Sequence, residues 1–381
     1  MNEQLVSWDK ISGVFENKDA SLLLGKGFSC AVWDRFKDSS LYEEASSENN
    51  GGISLSTENK ELFKALRTES FEKVLATLST TKIVNNILEA QAHKSIIETI
   101  DDHSANIKHS LIQAVKEVHI PWTKFSIKKT DKKKVLLKEE RQERDVMIKM
   151  VKENRNILNF IRTEVLKYQN LFYTSYDLLI YWSLMAGDKK KFADHFTYDG
   201  KFDKQNYIDN NKEVRQNRLS IFYIHGCLHL YFNEQEIRKI VNKGPEQNIL
   251  QQWGEVLRES AGNQPLFMAE GTLIEKLNFI YNSDYLFVAY NELKQTTGKL
   301  VVLGNPLNFD KNQENNSHLN HHLVDAIVKK SHQEIAISLT EENGEIIQQM
   351  DYWKSVMNRD DITFFEEKTH PLCNPDIIRI T

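Results

Sequence analysis

Short apolar runs that end in glycine or in reactive side chains, and that alternate with helical stretches, constrain this 381-residue chain more than any other feature. The first is Ser21-Leu-Leu-Leu-Gly25-Lys26-Gly27-Phe28-Ser29-Cys30, in which an apolar run meets two glycines and then a small hydroxyl residue. It reads as a buried strand entering a tight turn, whose backbone can approach a phosphate or ribose because glycine tolerates φ > 0 and has no side chain. Ala31 to Phe36 suits the first turns of a helix whose amino end would face such a ligand. The dinucleotide fingerprint wants a third glycine where Cys30 and its neighbours stand, so the turn alone also fits an ordinary strand-to-helix connection.

The pattern recurs. Leu171-Phe-Tyr-Thr174-Ser175-Tyr176-Asp177 is an apolar strand ending in hydroxyls and a carboxylate, followed by an apolar helix. Asp177 can orient a ligand group or simply cap that helix. Ser220 to Tyr231 reads as a third strand carrying His225-Gly226. A histidine at a strand terminus is often a hydrogen-bonded core residue, but the glycine beside it leaves one side of the imidazole open, so a general-base role is chemically available. His229 reads as structural. Lys299 to Leu303 meets Gly304-Asn305-Pro306-Leu307, Glu334 to Leu339 is a fifth strand, and Ile362 to Phe365 adds an edge strand. Strands alternating with helices predict an α/β, Rossmann-like fold: a mostly parallel sheet flanked by helices, with ligands at the carboxyl ends of the strands. Four of those ends, Gly25–Ser29, Thr174–Asp177, His225–Gly226 and Gly304–Leu307, carry glycine or reactive groups, and their convergence predicts a site.

From about Glu58 the character changes. Leu62, Phe63, Leu66, Phe71, Val74, Leu75 and Leu78, then Ile83, Ile87 and Leu88, then Ile96, Ile97 and Ile100 recur at helical steps almost without glycine. His119-Ile-Pro121-Trp122 interrupts the run, a lysine-rich bend follows, and another helix is expected from about Val135 to Tyr168. Residues 58–168 are therefore read as a large helical insertion in a nucleotide-binding core made of 1–57 and 169–381. Lys128, Lys129 and Lys132 to Lys134 could touch phosphates, but Glu139, Glu140 and Glu143 compensate them, which favours a solvated bend. Thr272 with Glu275 has the form of a capping box, enough to explain Glu270-Gly271-Thr272 as a helix start. His318, His321 and His322 lack a cysteine or paired carboxylate at ligand spacing, and no metal is expected.

Composition bounds the partners. A hydrophobic fraction of 40%, a charged fraction of 27% and a net charge of −5 are those of a globular protein with no general drive toward nucleic acid. No run reaches membrane-spanning length, and no targeting signal opens the chain, so a cytoplasmic protein without a membrane partner is expected. The three cysteines, Cys30, Cys227 and Cys373, fit free thiols in a reducing compartment.

In this order, glycine-x-glycine-Phe-Ser, Thr-x-Tyr-Asp, His-Gly and Gly-x-x-Leu resemble the sirtuin-like NAD-binding fold. They are most similar to bacterial sirtuin-like NADases of antiphage defence, and in particular to an uncharacterised bacterial family that reads Leu-Gly-Asn-Gly-Phe-Ser, Thr-Asn-Tyr-Asp-Leu-Leu-x-Tyr-Trp and Leu-His-Gly-x-Leu-His-Leu at these places. The resemblance spans Leu22 to Leu339. It implies NAD as substrate, with Gly25, Lys26, Gly27, Phe28 and Ser29 on the pyrophosphate and nicotinamide-ribose side and Gly304, Asn305 and Leu307 toward the adenosine. It also implies Thr174 near the cofactor, Asp177 at the nicotinamide end and His225 as the catalytic histidine. Two positions depart from the family: Lys26 replaces the usual alanine or asparagine, and Ser175 stands where the family has the asparagine that positions water or ribose at the breaking bond. A serine is shorter and lacks the planar amide.

The implied activity is NAD glycohydrolysis, giving nicotinamide and ADP-ribose, with His225, Asp177 and Ser175 as the catalytic group. Deacetylation is disfavoured because the four-cysteine zinc module is absent. The alternative, motivated by Ser175 and the insertion, is a non-catalytic module that senses NAD or ADP-ribose or binds a partner. A sirtuin-like effector needs restraint, so a homo-oligomer and a regulatory or phage-derived protein trigger are expected as well.

Overall fold

The computed structural model describes residues 5–16, 18–48, 53–88, 94–119, 138–215, 217–233, 236–241, 249, 250, 252, 256, 263–268, 272–305, 321–328, 332–341 and 345–380. The lysine-rich bend, Ile120 to Trp122, Glu270, Gly271, Pro306, Leu307 and His318 lie outside the described residues.

Among the described residues, seven parallel strands form the main sheet: β1 (Ala20–Leu24), β2 (Asn170–Tyr173), β3 (Phe192–Ala193), β4 (Leu219–Tyr223), β8 (Lys299–Leu303), β9 (Ile335–Leu339) and β10 (Thr363–Glu366). Their order is β10-β9-β8-β1-β2-β4-β3. Without the two-residue edge strand β3, this is the doubly wound, Rossmann-like order, in which strands grow outward on one side of β1 and then resume on the other. Such sheets are covered on both faces, and their strands accordingly read as continuous apolar runs rather than alternating ones. All five residues of β1, β4 and β9 are buried. β1 pairs with β2 and β8 in register, Leu24 facing Tyr173 on one side and Leu303 on the other.

Two expectations needed correction. The run Ser220 to Tyr231 is not one strand: β4 ends at Tyr223, the chain turns at Ile224-His225, and β5 (Gly226–Asn233) starts a separate antiparallel sheet with β6 (Glu236–Lys239) and β7 (Gln264–Phe267). Gly226 makes the turn possible at φ +75°, where a Cβ would stand 2.1 Å from the Leu266 carbonyl oxygen. Ala31 to Phe36, expected to open a helix, instead follows its start: the helix is Lys26–Val32, beginning directly after Gly25, and Asp34–Phe36 is a 3-10 turn. Ahead of β1 lie a bridge from Val6 to Phe365, a single 3-10 turn at Trp8–Lys10 and a short helix at Ser12–Phe15. Between β2 and β4 the chain also forms β3 and the helix Lys204–Arg215.

The insertion between β1 and β2 carries the helices Thr57–Ala65, Phe71–Leu88, Lys94–His119 and Lys138–Val165. Val74, Ile107, Ala114, Val115, Ile161 and Val165 are fully buried and continue the apolar core of the sheet. The expected capping box is present, with Thr272 and Glu275 each accepting from the other's backbone at the start of the helix Leu273–Tyr281. No helix among the described residues is long and apolar enough to cross a membrane.

Candidate functional site

The crevice opens where β1 lies between β2 and β8, because there the strand order reverses and the two flanking loops diverge. Here the glycines serve close approach rather than unusual dihedrals. Gly25 is extended, with φ −110° and ψ −170°, and Gly27 belongs to the helix Lys26–Val32. A Cβ on Gly25 would lie 2.4 Å from the Gly304 carbonyl oxygen, and one on Gly27 would lie 2.8 Å from Gly304 Cα. Of these three glycines, Gly304 alone adopts the left-handed region, at φ +64°. The Gly25 amide donates to Leu303 O at 2.9 Å and the Gly27 amide to Gly304 O at 2.8 Å, so the two turns are knitted together.

Beneath that joint lies Asp177, completely buried. Its Oδ2 accepts three hydroxyl protons, from Ser29 at 2.5 Å, Ser175 at 2.6 Å and Tyr173 at 2.7 Å. Its Oδ1 accepts the Leu179 amide at 2.8 Å, so the carboxylate also caps the helix Leu179–Met185. A buried carboxylate is tolerable only when so thoroughly satisfied. The next amide, Leu178, donates to Nε2 of His119 at 3.1 Å, while His119 Nδ1 donates to Val115 O. The last residue of an insertion helix therefore fixes the loop that carries Ser175, and burial lowers the pKa of His119 and keeps it neutral.

Above the joint is a cavity of about 480 Å³. Of the residues expected at the site, Lys26, Thr174, Ser175, His225 and Asn305 line it together. Gly25, Gly27, Phe28, Ser29, Gly304 and Asp177 stand behind its wall, Phe28, Ser29 and Asp177 with no exposed surface. Asp177 reaches the cavity only through the hydroxyl of Ser175. Thr174 Oγ1 donates to Asn305 Oδ1 at 2.9 Å, and Asn305 Nδ2 donates to Leu23 O at 3.2 Å, which fixes the orientation of that amide.

The protonation of His225 follows from its partners. Nδ1 faces the Thr174 carbonyl at 3.1 Å, and a carbonyl can only accept, so Nδ1 carries the proton. Burial, reinforced by the nearby Lys276 charge, pulls its pKa down to about 3, so the ring is neutral and Nε2 is a lone pair. That lone pair accepts from His322 Nε2 at 2.8 Å. His322 is fully buried on the helix His321–Val328, and its Nδ1 has no hydrogen-bond partner among the described residues. Both nitrogens of His225 are thus engaged in this conformation.

The opposite wall was not foreseen. It comes from the insertion, Thr68 to Lys73 with Leu111, and from Lys276 on the helix Leu273–Tyr281. Charges are paired across it, Lys26 with Asp38 and Lys276 with Glu72. Burial works against the Lys26 charge, but Tyr176 and Asp38 outweigh it and raise its pKa. Burial pushes the Tyr176 phenol up to about 12, so it remains a donor. Hydroxyls, an amide, an imidazole, and three ammonium groups matched by the carboxylates of Asp38, Glu69 and Glu72 make one concave polar surface, which suits a ligand rich in hydroxyl and other polar groups. A second cavity of about 370 Å³, near Phe192, His195, Tyr207 and Lys239, holds none of the expected residues. Among the described residues no three of His, Cys, Asp and Glu gather as a metal-holding group.

Comparison with curated proteins finds no match. A family model does match, over residues 22–142 and 144–371, which takes in the main sheet from Leu22 of β1 onward, the insertion and all the expected site residues. The chain belongs to the family described as a domain of unknown function, DUF4917.

Proposed function

We propose that the cavity binds NAD and hydrolyses its nicotinamide–ribose bond, as a sirtuin-like glycohydrolase. The observation that carries this reading is the gathering of Lys26, Thr174, Ser175, His225 and Asn305, from four separate strand ends, on one cavity at the strand-order reversal. In the reaction the C1′–N bond breaks with its electron pair going to nicotinamide, which leaves as a neutral ring. Water adds to the oxocarbenium-like C1′ and gives up a proton. Thr174 and Ser175 would hold ribose hydroxyls, and His225 would take the proton at Nε2 once His322 yields that position. On this reading the protein is a cytoplasmic antiphage effector, restrained by self-association or awaiting a phage-derived protein trigger.

The test is incubation with NAD and chromatography of products. Nicotinamide and ADP-ribose are expected from the wild type and neither from His225→Ala; no release by the wild type, alone or with phage lysate, overturns the reading. A second reading, nucleotide sensing without turnover, is favoured by the engagement of both His225 nitrogens and by Ser175 in place of asparagine. It predicts calorimetric binding of NAD or ADP-ribose with no product, and turnover gained by Ser175→Asn.

A further inference from the structure

One buried charge on the cavity wall is used neither by the strand ends nor by the chemistry above. Lys276 is only 2% exposed, and its ammonium pairs with Glu72 on the first turn of the helix Phe71–Leu88. The pair is lopsided: the Lys276 side chain is 3% exposed and that of Glu72 28%. A buried ammonium is costly without an opposite charge, whereas a carboxylate at the water boundary is readily solvated. Glu72 can therefore leave at little cost, provided that another anion replaces it. Both residues line the cavity beside His225, and the Lys276 field reaches that imidazole. A second tie between the same two helices lies farther along, where Ser79 donates to Glu275 Oε1 at 2.6 Å. Of the other cations lining the cavity, Lys26 already has Asp38, and Lys73 is exposed to solvent.

We propose that Lys276 is the anion-binding residue of the cavity and that Glu72 is its internal stand-in, displaced when a phosphate or diphosphate group of the ligand enters. The exchange is ionic and breaks no covalent bond. Because Glu72 belongs to the insertion, displacement removes the ion pair that ties the start of the helix Phe71–Leu88 to Lys276, while Phe71 and Val74 keep that turn in the core, so that filling the cavity is felt by the insertion. The inference rests on the nucleotide reading for the identity of the ligand, but not for the anion exchange itself.

Calorimetric titration of the full chain with ADP-ribose, and separately with inorganic pyrophosphate, tests it in the wild type, Glu72→Gln, Lys276→Met and the double variant. Glu72→Gln keeps the shape of the side chain while removing the competing charge, and it is expected to bind both probes about tenfold more tightly. Lys276→Met is expected to lose at least tenfold, and the double variant to match Lys276→Met, since Glu72 competes only for Lys276. Unchanged or weaker binding by Glu72→Gln overturns the proposal, as does a gain that survives in the double variant. ADP-ribose binding that is indifferent to Glu72 overturns the exchange and leaves the nucleotide reading standing. Pyrophosphate binding that tightens in Glu72→Gln without any ADP-ribose binding does the reverse. Silence from both probes in every variant overturns both. Thermal melts of each variant establish that it is folded, and Lys276→Gln replaces the methionine variant if that one is not.

Discussion

Replacing Asp177 by asparagine perturbs the group on which the floor of the site depends. The carboxylate is isosteric with the amide, so no cavity forms and the change is confined to hydrogen bonding. Oδ1 can still accept the Leu179 amide, but an NH₂ group then stands where Oδ2 received Ser29, Tyr173 and Ser175. Those hydroxyls must turn round, two to accept and the third with no acceptor in place. A hydrogen bond to a charged group contributes about 1.5–3 kcal/mol, and the three are not additive, so the expected loss is about 3–5 kcal/mol. For 381 residues the unfolding entropy is about 0.8 kcal/mol/K, which converts this loss to a fall in Tm of about 4–6 °C. Differential scanning calorimetry measures it. The single variants Ser29→Ala, Tyr173→Phe and Ser175→Ala should each cost about 1–2 kcal/mol in the wild type and much less in the Asp177→Asn background. A Tm within about 1 °C of the wild type, or costs that simply add, would refute the picture of one carboxylate oxygen organising three hydroxyls.

Three further outcomes are expected. Burial lowers the pKa values of His225 and His370 to about 3 and also depresses those of His119, His229 and His322, so the unfolded chain, titrating near 6.5, takes up protons first. The stabilisation from these neutral rings is complete above about pH 6.5 and is lost as pH falls toward 3; the urea midpoint should drop steadily from pH 7.5 to 5, less steeply in His225→Gln, and a flat profile would contradict it. Gly304→Ala forces a Cβ to within 2.9 Å of the Phe28 amide at a φ of +64°, and should cost about 2–4 kcal/mol in urea unfolding, whereas Gly13→Ala, with nothing within 4 Å, should be harmless. His322→Ala removes the donor to His225 Nε2 and should lower the urea midpoint, with His322→Gln, which retains an N–H, recovering most of the loss; equal damage by both would show that the hydrogen bond contributes little.

What could be read from the amino acids was the part encoded locally. Each apolar run with glycine or hydroxyls after it became a strand end, and the continuous burial of β1, β4 and β9 is what a parallel sheet covered on both faces imposes on sequence. The capping box was legible because its two residues lie three apart. The glycines of the first turn were legible as glycines but not in their purpose: what crowds them is Gly304, with Asn305 against Gly25 and Glu367 against Gly27, all far away along the chain. The same applies to Ser29, expected on the pocket wall and found beneath it, because its partner is a carboxylate 148 residues later. The break at His225-Gly226 had a signal, since glycine after a strand-like run often marks a turn; the apolar residues on both sides masked it. His119, His322, Lys276 and Glu72 had none, because each matters through one contact made across the fold.

The position of β1 has a consequence for how the chain acquires its shape. It precedes the other strands of this sheet along the chain and sits in its middle, yet one neighbour begins 149 residues later, at Asn170, and the other later still, at Lys299. At translation speeds of about 5–20 residues per second, the second partner emerges roughly 15–60 s after β1, and loop closure over such separations is slow. Until β2 emerges this buried strand has two unpaired edges, and one of them stays unpaired until β8 follows. The intervening helices, which precede β2 in synthesis and share its core, are the first structure able to shelter it. The insertion therefore has a task before any ligand arrives, as a scaffold that holds the opening strand until the rest of the sheet exists.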